Sequence, residues 1–259
     1  MAHWLRFERD GAAGFGTLDD GVIAVHQGSM FDAPTPTGER VMLDEVRLLA
    51  PAQPRQMLAL WNNFRALGTK LGLAVPEEPL FFMKAASSYA GPEAVVHRPA
   101  GYAGKVVFEG ELAIVIGATC RNASVDEARA AIFGYTCVND FTAADILNKD
   151  PSFAQWTRAK SFDGFSPLGP VIATGLDPDA LVVRTVLNGT ERQNYPVSDM
   201  VFPPVTLVSL LSHSVTLMPG DVICCGTSLG VGAMREVSNT VDVTIDGIGT
   251  LRSYYQQPA

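Results

Sequence analysis

The chain has 259 residues, 47% of them apolar and 18% charged, and 27 acidic against 19 basic side chains give it a formal net charge of −8. This composition supports a sizeable folded core and excludes a disordered chain. The acidic balance, without any Lys/Arg-rich run, argues against nucleic acid and anionic membranes as partners. The longest apolar runs, such as residues 112–117, are too short to cross a bilayer, and the charged start has no secretory core segment, so a cytoplasmic protein is expected.

In chain order, residues 1–52 read as a small β-rich unit with a hairpin signal at Asp20-Gly21. The Pro-rich stretch 48–56 marks a joint, and residues 53–259 read as one larger domain. Residues 58–62 (LALWN) form a predicted strand, 63–73 a short helix or lid, and 106–117 (VVFEGELAIVIG) a single long strand. Ser124 and Glu127 make a capping box that opens a helix predicted to run through Gly134. A strand then leads into a turn at Asp140, and a short helix spans 142–150. Hairpins are predicted at Asn188-Gly189 and Asp246-Gly247, with an amphipathic helix over 205–215 between them. Strands dominate. Cys120, Cys137, Cys224 and Cys225 match no zinc spacing and read as buried free thiols, the adjacent pair pointing to opposite faces of a strand.

Glu109 and Glu111 sit two apart in the long strand, so their carboxylates face the same way. Two such groups beside a core repel each other and lose hydration, and a hard divalent cation removes both penalties. The alternative is a solvated sheet face. Asp140, at the end of an apolar strand, is either a third ligand or a turn residue. Together the three offer only oxygen, which suits Mg2+, Mn2+ or Ca2+ rather than zinc. Lys160 and Asp163 lie in a predicted loop, where a lysine near an acidic metal site steadies a developing oxyanion or, alternatively, simply faces water. The Gly-rich stretch 226–232 lets backbone N–H groups approach an anion, but it has no P-loop lysine and is not a dinucleotide fingerprint.

Five segments in series, FEGELAIVIG, GYTCVNDFTAAD, AKSFDGFSPLGPVIAT, VLNGTERQ and TLMPGDVICCGTSLGVG, resemble the fumarylacetoacetate hydrolase family in order and spacing. The stretch EPLFFMKAASS, with Lys84 before Ser87 and Ser88, is similar to a further family segment. The resemblance covers roughly residues 50 to 252. It implies an α+β, β-rich mixed β-roll, usually a homodimer, with Mg2+ or Mn2+ held by Glu109, Glu111 and Asp140. It also implies chemistry on a small 2-oxo acid or 1,3-dicarbonyl compound through an enolate. Glu109 and Lys160 are its implied catalytic residues; Lys84, Lys160, Thr227 and Arg65 are expected to bind substrate.

The departures bear on the reaction. Where hydrolytic members carry a lid His-Glu pair, this chain has Leu67 and Lys70, and Asn62 replaces the lid arginine. After Asp140, Ala144 and Leu147 replace an Arg and a Gln that contact substrate in the family. His3, His26, His97 and His213 all lie elsewhere, although His97 precedes the metal strand and could be drawn in; His213, near a helix C-terminus, reads as structural. C–C bond cleavage by a hydrolase or lyase is the expected reaction, with decarboxylation or keto–enol isomerisation as the alternative and a metal-binding protein without turnover as a third.

Overall fold

Strands far outnumber helices in the computed structural model, which describes residues 1–257. The chain opens with β1 (His3–Arg9), β2 (Ala12–Asp19), β3 (Val22–Ser29), β4 (Asp32–Met42) and β5 (Arg47–Leu49). It continues through β6 (Met57–Trp61), α1 (Arg65–Leu71), β7 (Leu80–Lys84), β8 (Tyr89–Ala90), β9 (Ala94–His97), β10 (Val106–Phe108) and β11 (Gly110–Ile116). Next come α2 (Val125–Ala131), β12 (Ile132–Asn139), β13 (Thr142–Ala143), α3 (Ala144–Leu147), α4 (Trp156–Lys160) and β14 (Ser166–Ala173). The remainder is β15 (Val182–Leu187), β16 (Thr190–Pro196), α5 (Pro204–Ser212), β17 (Val222–Cys224), β18 (Gly232–Ala233), β19 (Ser238–Ile245) and β20 (Gly249–Gln256).

The main sheet runs β4-β3-β2-β1-β14-β12-β11-β17-β6-β7, with β5 on β1 and β8 on β14. A five-stranded sheet, β16-β15-β19-β20-β9, and a three-stranded one, β13-β10-β18, complete the α+β, β-rich architecture. Pairing is mixed: β6–β17, β8–β14 and β9–β20 are parallel, and the other pairs are antiparallel. The N-terminal meander joins the main sheet directly, through His3↔Ala173 and Trp4↔Ile172 between β1 and β14.

All of β11 is buried. Leu112, Ile114 and Ile116 pack into one core with Phe108, Phe141 and Val243, while Ala113 and Val115 pack on the opposite face with Met57, Val138 and Val222. Cover on both faces explains why the segment reads as an unbroken apolar run rather than an alternation. Each fully buried Ile or Leu contributes roughly 1.5–3 kcal/mol, enough for this strand to carry a buried carboxylate at its N-terminal end. The cysteines are all buried free thiols, and Cys224 and Cys225 fall on opposite faces, as expected.

Local signals place the turns and caps. Asp20-Gly21 and Asn188-Gly189 have positive φ at both positions (43° and 75°; 49° and 77°), the backbone a two-residue hairpin turn requires. Ser124 accepts from the Glu127 N–H and caps α2. That helix stops at Ala131, however, and not at Gly134. Ile132 instead pairs with Ile116, so β-branched and aromatic residues at 132–133 begin a strand. The predicted strand over 106–117 is also two strands. β10 pairs with β13 and β18, β11 with β12 and β17, and Glu109 is the residue between them. Among the described residues no helix is long and apolar enough to cross a membrane.

Candidate metal centre

The carboxylates gather where the β11–β12 ladder ends. Gly110 pairs with Asn139, the last residue of β12. Just beyond it, Asp140 N–H donates to Glu109 O at 2.8 Å, and Glu109 N–H donates to the Asn139 side-chain oxygen at 3.3 Å. These bonds lock the break between β10 and β11 and set three acidic side chains on one end of two strands. One oxygen from each of Glu109, Glu111 and Asp140 lies within 4.8 Å of the others. Glu111 and Asp140 are each only 1% exposed, and Glu109 is partly buried.

Two buried lysines face them. Lys160 Nζ is 2.7 Å from Asp140 Oδ2 and 3.0 Å from Glu109 Oε1. Lys84 Nζ donates to Asp140 Oδ1 and lies 3.4 Å from Phe165 O. Both cations contact Asp140, and among the described residues neither bonds Glu111, whose Oε2 accepts the Gly226 N–H at 2.9 Å. Burial, then repulsion from Asp140 and Glu109, pushes the Glu111 carboxyl well above the usual range, and Lys160 with the Gly226 N–H offsets this only in part. Asp140 behaves oppositely: burial alone raises it, but Lys160 and Lys84 outweigh that and hold it low. For Lys160, burial favours the neutral form, yet Asp140, Glu109 and Glu111 outweigh it and keep the ammonium protonated.

With all three carboxylates ionised, the two lysines would leave one negative charge unbalanced, and Glu111, raised first by burial and then by its acidic neighbours, is where that excess falls. Three clustered oxygen donors and a surplus of buried negative charge fit a hard divalent cation. Glu109, Glu111 and Asp140 are the residues that would hold it.

Further bonds tie this centre to its surroundings. Thr142 Oγ1 donates to Glu109 Oε1 at 2.7 Å. Thr227 Oγ1 donates to Gly110 O at 3.0 Å and accepts from Gln193 Nε2 at 2.8 Å.

The sequence-predicted residues divide. Glu109, Glu111, Asp140, Lys160 and Lys84 converge, and Thr227 sits next to them through Gly110. Lys160 is not in a loop, as expected, but ends α4 and is 2% exposed. Gln155 N–H bonds Leu147 O just before α4, and Lys160, the last residue of that helix, reaches Asp140 and Glu109. Arg65 stands exposed at the start of α1, its guanidinium 3.4 Å from Val201 O rather than on any of the three carboxylates. Leu67 packs against the core, and Lys70 is exposed. His3 contacts Gly247 O, His26 contacts Ala24 O, His213 contacts Ala123 O at 3.3 Å, and exposed His97 lines an outer groove with Asp163. No histidine joins the carboxylate group among the described residues. Sequence reasoning overlooked Thr142, which bonds Glu109, and Gln193 and Tyr195, which bond Gly110. Gln193 closes the VLNGTERQ segment, so a signal was present, but its partner strand is distant in sequence.

Comparison with known proteins agrees with this geometry. A solved structure of 2-hydroxyhepta-2,4-diene-1,7-dioate isomerase from Mycobacterium marinum is 34% identical and superposes with a TM-score of 0.90, covering 100% of both chains. Oxaloacetate tautomerase YisK of Bacillus subtilis is 35% identical over 222 residues, 81% of this chain and 73% of its own. Maleylpyruvate hydrolase from Sphingobium sp. SYK-6, solved with manganese(II) and pyruvate, is 25% identical with a TM-score of 0.78, covering 99% of this chain and 100% of its own. Residues 2–51 match the family described as Rv2993c-like, N-terminal. Residues 56–254 match the fumarylacetoacetate (FAA) hydrolase C-terminal family, and the chain therefore belongs to the fumarylacetoacetate hydrolase family.

Proposed function

We propose that this chain is a divalent-metal-dependent enzyme that interconverts the keto and enol forms of a small 2-oxo acid. One observation carries the choice of reaction: buried carboxylates and a protonated lysine converge, and no histidine stands among them. C–C hydrolysis needs an activated water, and the positions that would supply the lid pair hold core-packed Leu67 and exposed Lys70. Tautomerisation needs only proton transfer and a stabilised oxyanion. Two relatives are named for this kind of reaction, an oxaloacetate tautomerase and a dienedioate isomerase.

A bound Mg2+ or Mn2+ supplies Lewis acidity toward the substrate's oxygens. The chain's own groups do the remainder. Lys160, kept protonated by its carboxylate neighbours, donates to the oxygen on which negative charge develops. Glu109, the least buried of the three acids, takes the C3 proton as the C–H bond breaks and returns it to the oxygen. Lys84 donates to Asp140 and balances its charge. The chemistry belongs to residues 53–259, with 1–52 as a small β unit, in a homodimer.

A second reading, C–C cleavage by a hydrolase or lyase, is favoured by the likeness to maleylpyruvate hydrolase. Both readings are tested by following oxaloacetate enol absorbance and product formation, with Mg2+ or Mn2+ and then with chelator. Metal-dependent loss of the enol without new carboxylic acid or CO2 supports tautomerisation. Cleavage of an acylpyruvate to pyruvate and a second acid supports the alternative. An enol that decays at its uncatalysed rate with metal present overturns the first.

A further inference from the structure

Between the two glutamates of the centre lies Gly110, paired with Asn139 of β12, but its own N–H and C=O are held by side chains. β17 covers β11 only at Ala113–Val115, through Cys224, Ile223 and Val222. Beyond that register the chain leaves the ladder as the Gly-rich loop. Cys225 N–H still reaches Leu112 O at 3.0 Å, and Gly226 N–H turns to the Glu111 carboxylate. The edge of Gly110 is left without a backbone partner on that side. A buried unpaired N–H and C=O cost about 1–3 kcal/mol each, so something must replace the missing strand.

Gln193 and Tyr195, on β16 of the other sheet, replace it. Gly110 N–H donates to Gln193 Oε1 at 2.9 Å, and Gly110 O accepts from Tyr195 OH at 2.5 Å and from Thr227 Oγ1 at 3.0 Å. The amide orientation of Gln193 follows from this, because an N–H can face only the oxygen. Its Nε2 then points at the loop and donates to Thr227 Oγ1 at 2.8 Å, with Ser228 O and Leu229 O each at 3.4 Å. Gln193 is 1% exposed, and position 110 must be glycine, since a Cβ there overlaps Thr185 Oγ1 on β15, the neighbour of β16 in the second sheet. One side chain thus grips the peptide between both metal-binding glutamates and the loop that bonds Glu111.

We infer that Gln193 is a positioning residue of the metal centre: it completes the β11 edge at Gly110 and ties the 226–229 loop to it, so that Glu109 and Glu111 present their oxygens at one fixed spacing. The inference rests on the metal centre and not on which reaction it serves. Partners that orient metal ligands typically account for about 10–100-fold in metal affinity.

The test is Mn2+ binding by titration calorimetry on the intact chain. Gln193→Met keeps the volume and removes both ends of the clamp; Tyr195→Phe removes only the Gly110 O bond. Ser209→Ala serves as a control, because Ser209, on α5, donates a buried bond from Oγ to Ala123 O, outside the centre. Gln193→Met should weaken Mn2+ binding at least about tenfold, Tyr195→Phe by less, and Ser209→Ala not at all, whatever each does to melting temperature. An unchanged Mn2+ affinity in Gln193→Met overturns the proposal, as does an equal loss in the Ser209→Ala control. If Gln193→Met does not fold, Thr227→Val, which removes the hydroxyl that Gln193 Nε2 bonds, is compared with Ser209→Ala in its place, and an unchanged Mn2+ affinity there overturns the proposal. Because the readout is binding, a failed tautomerase assay leaves this result unaffected.

Discussion

Glu111 is the residue at which the metal centre is most exposed to test. Its carboxyl is fully buried, lacks a cation of its own, and is driven toward the neutral form by burial and by Asp140 and Glu109. A metal ion needs the carboxylate, so binding must expel a proton, and apparent affinity should rise with pH up to the raised pKa. Calorimetry in buffers of different ionisation heat measures this proton release directly; a pH-independent affinity with none released contradicts it. The sign for stability follows. A carboxyl raised in the folded state contributes stability below its unfolded pKa and loses it as pH rises through the folded pKa. Glu111→Gln should therefore stabilise the metal-free protein increasingly as pH rises, while abolishing tight metal binding, as thermal melts with and without Mn2+ would show. Lys160→Met removes a preorganised donor and should lower kcat about 10²–10³-fold while Mn2+ still binds. The three acids were legible in the sequence, because an E-x-E beside apolar residues and an Asp ending an apolar strand are local patterns. The pairing of Lys84 with Asp140 was not, because the two are 56 residues apart and no local pattern joins them.

The strand β11 sets the centre's position and its rigidity. Ile114 is fully buried in the core that backs the Glu111 face. Ile114→Ala should destabilise the fold by about 2–5 kcal/mol, measured by urea unfolding in chelator, whereas a loss under 1 kcal/mol would mean the strand is not the core element described. Local chemistry made the hairpins at Asp20-Gly21 and Asn188-Gly189 and the Ser124 cap readable, since each is decided by two to four neighbouring residues. The break at Glu109 escaped because β10 and β11 differ in their partners, not in their composition. Residues 106–108 bond to β13 and β18, while residues 110–116 bond to β12 and β17. The end of α2 at Ala131 was missed for the same reason, through pairing of Ile132 with Ile116. Lys160 was assigned to a loop because α4 has only five residues and no apolar period that stands out.

At the scale of the whole molecule, one mixed sheet runs from the N-terminal meander to β7, and the β15–β16 hairpin of a second sheet closes over its metal-bearing strand. Family resemblance carried this architecture, since five motifs in order constrain a fold more tightly than periodicity does. The residues at which the sequence differs from the pattern that the resemblance implies, Leu67, Lys70, Ala144 and Leu147, fall on α1 and α3. The scaffold is thus that of the family, and three acidic side chains gather on it with one oxygen of each within 4.8 Å of the others. The most direct test is the anomalous signal of Mn2+ in crystals of the intact chain. The account predicts a single strong peak among Glu109, Glu111 and Asp140, with one oxygen of each at roughly 2.0–2.2 Å, near the distance hard divalent ions of this size adopt. A peak elsewhere, or no peak at saturating Mn2+ with the carboxylates and lysines still in contact, would contradict it.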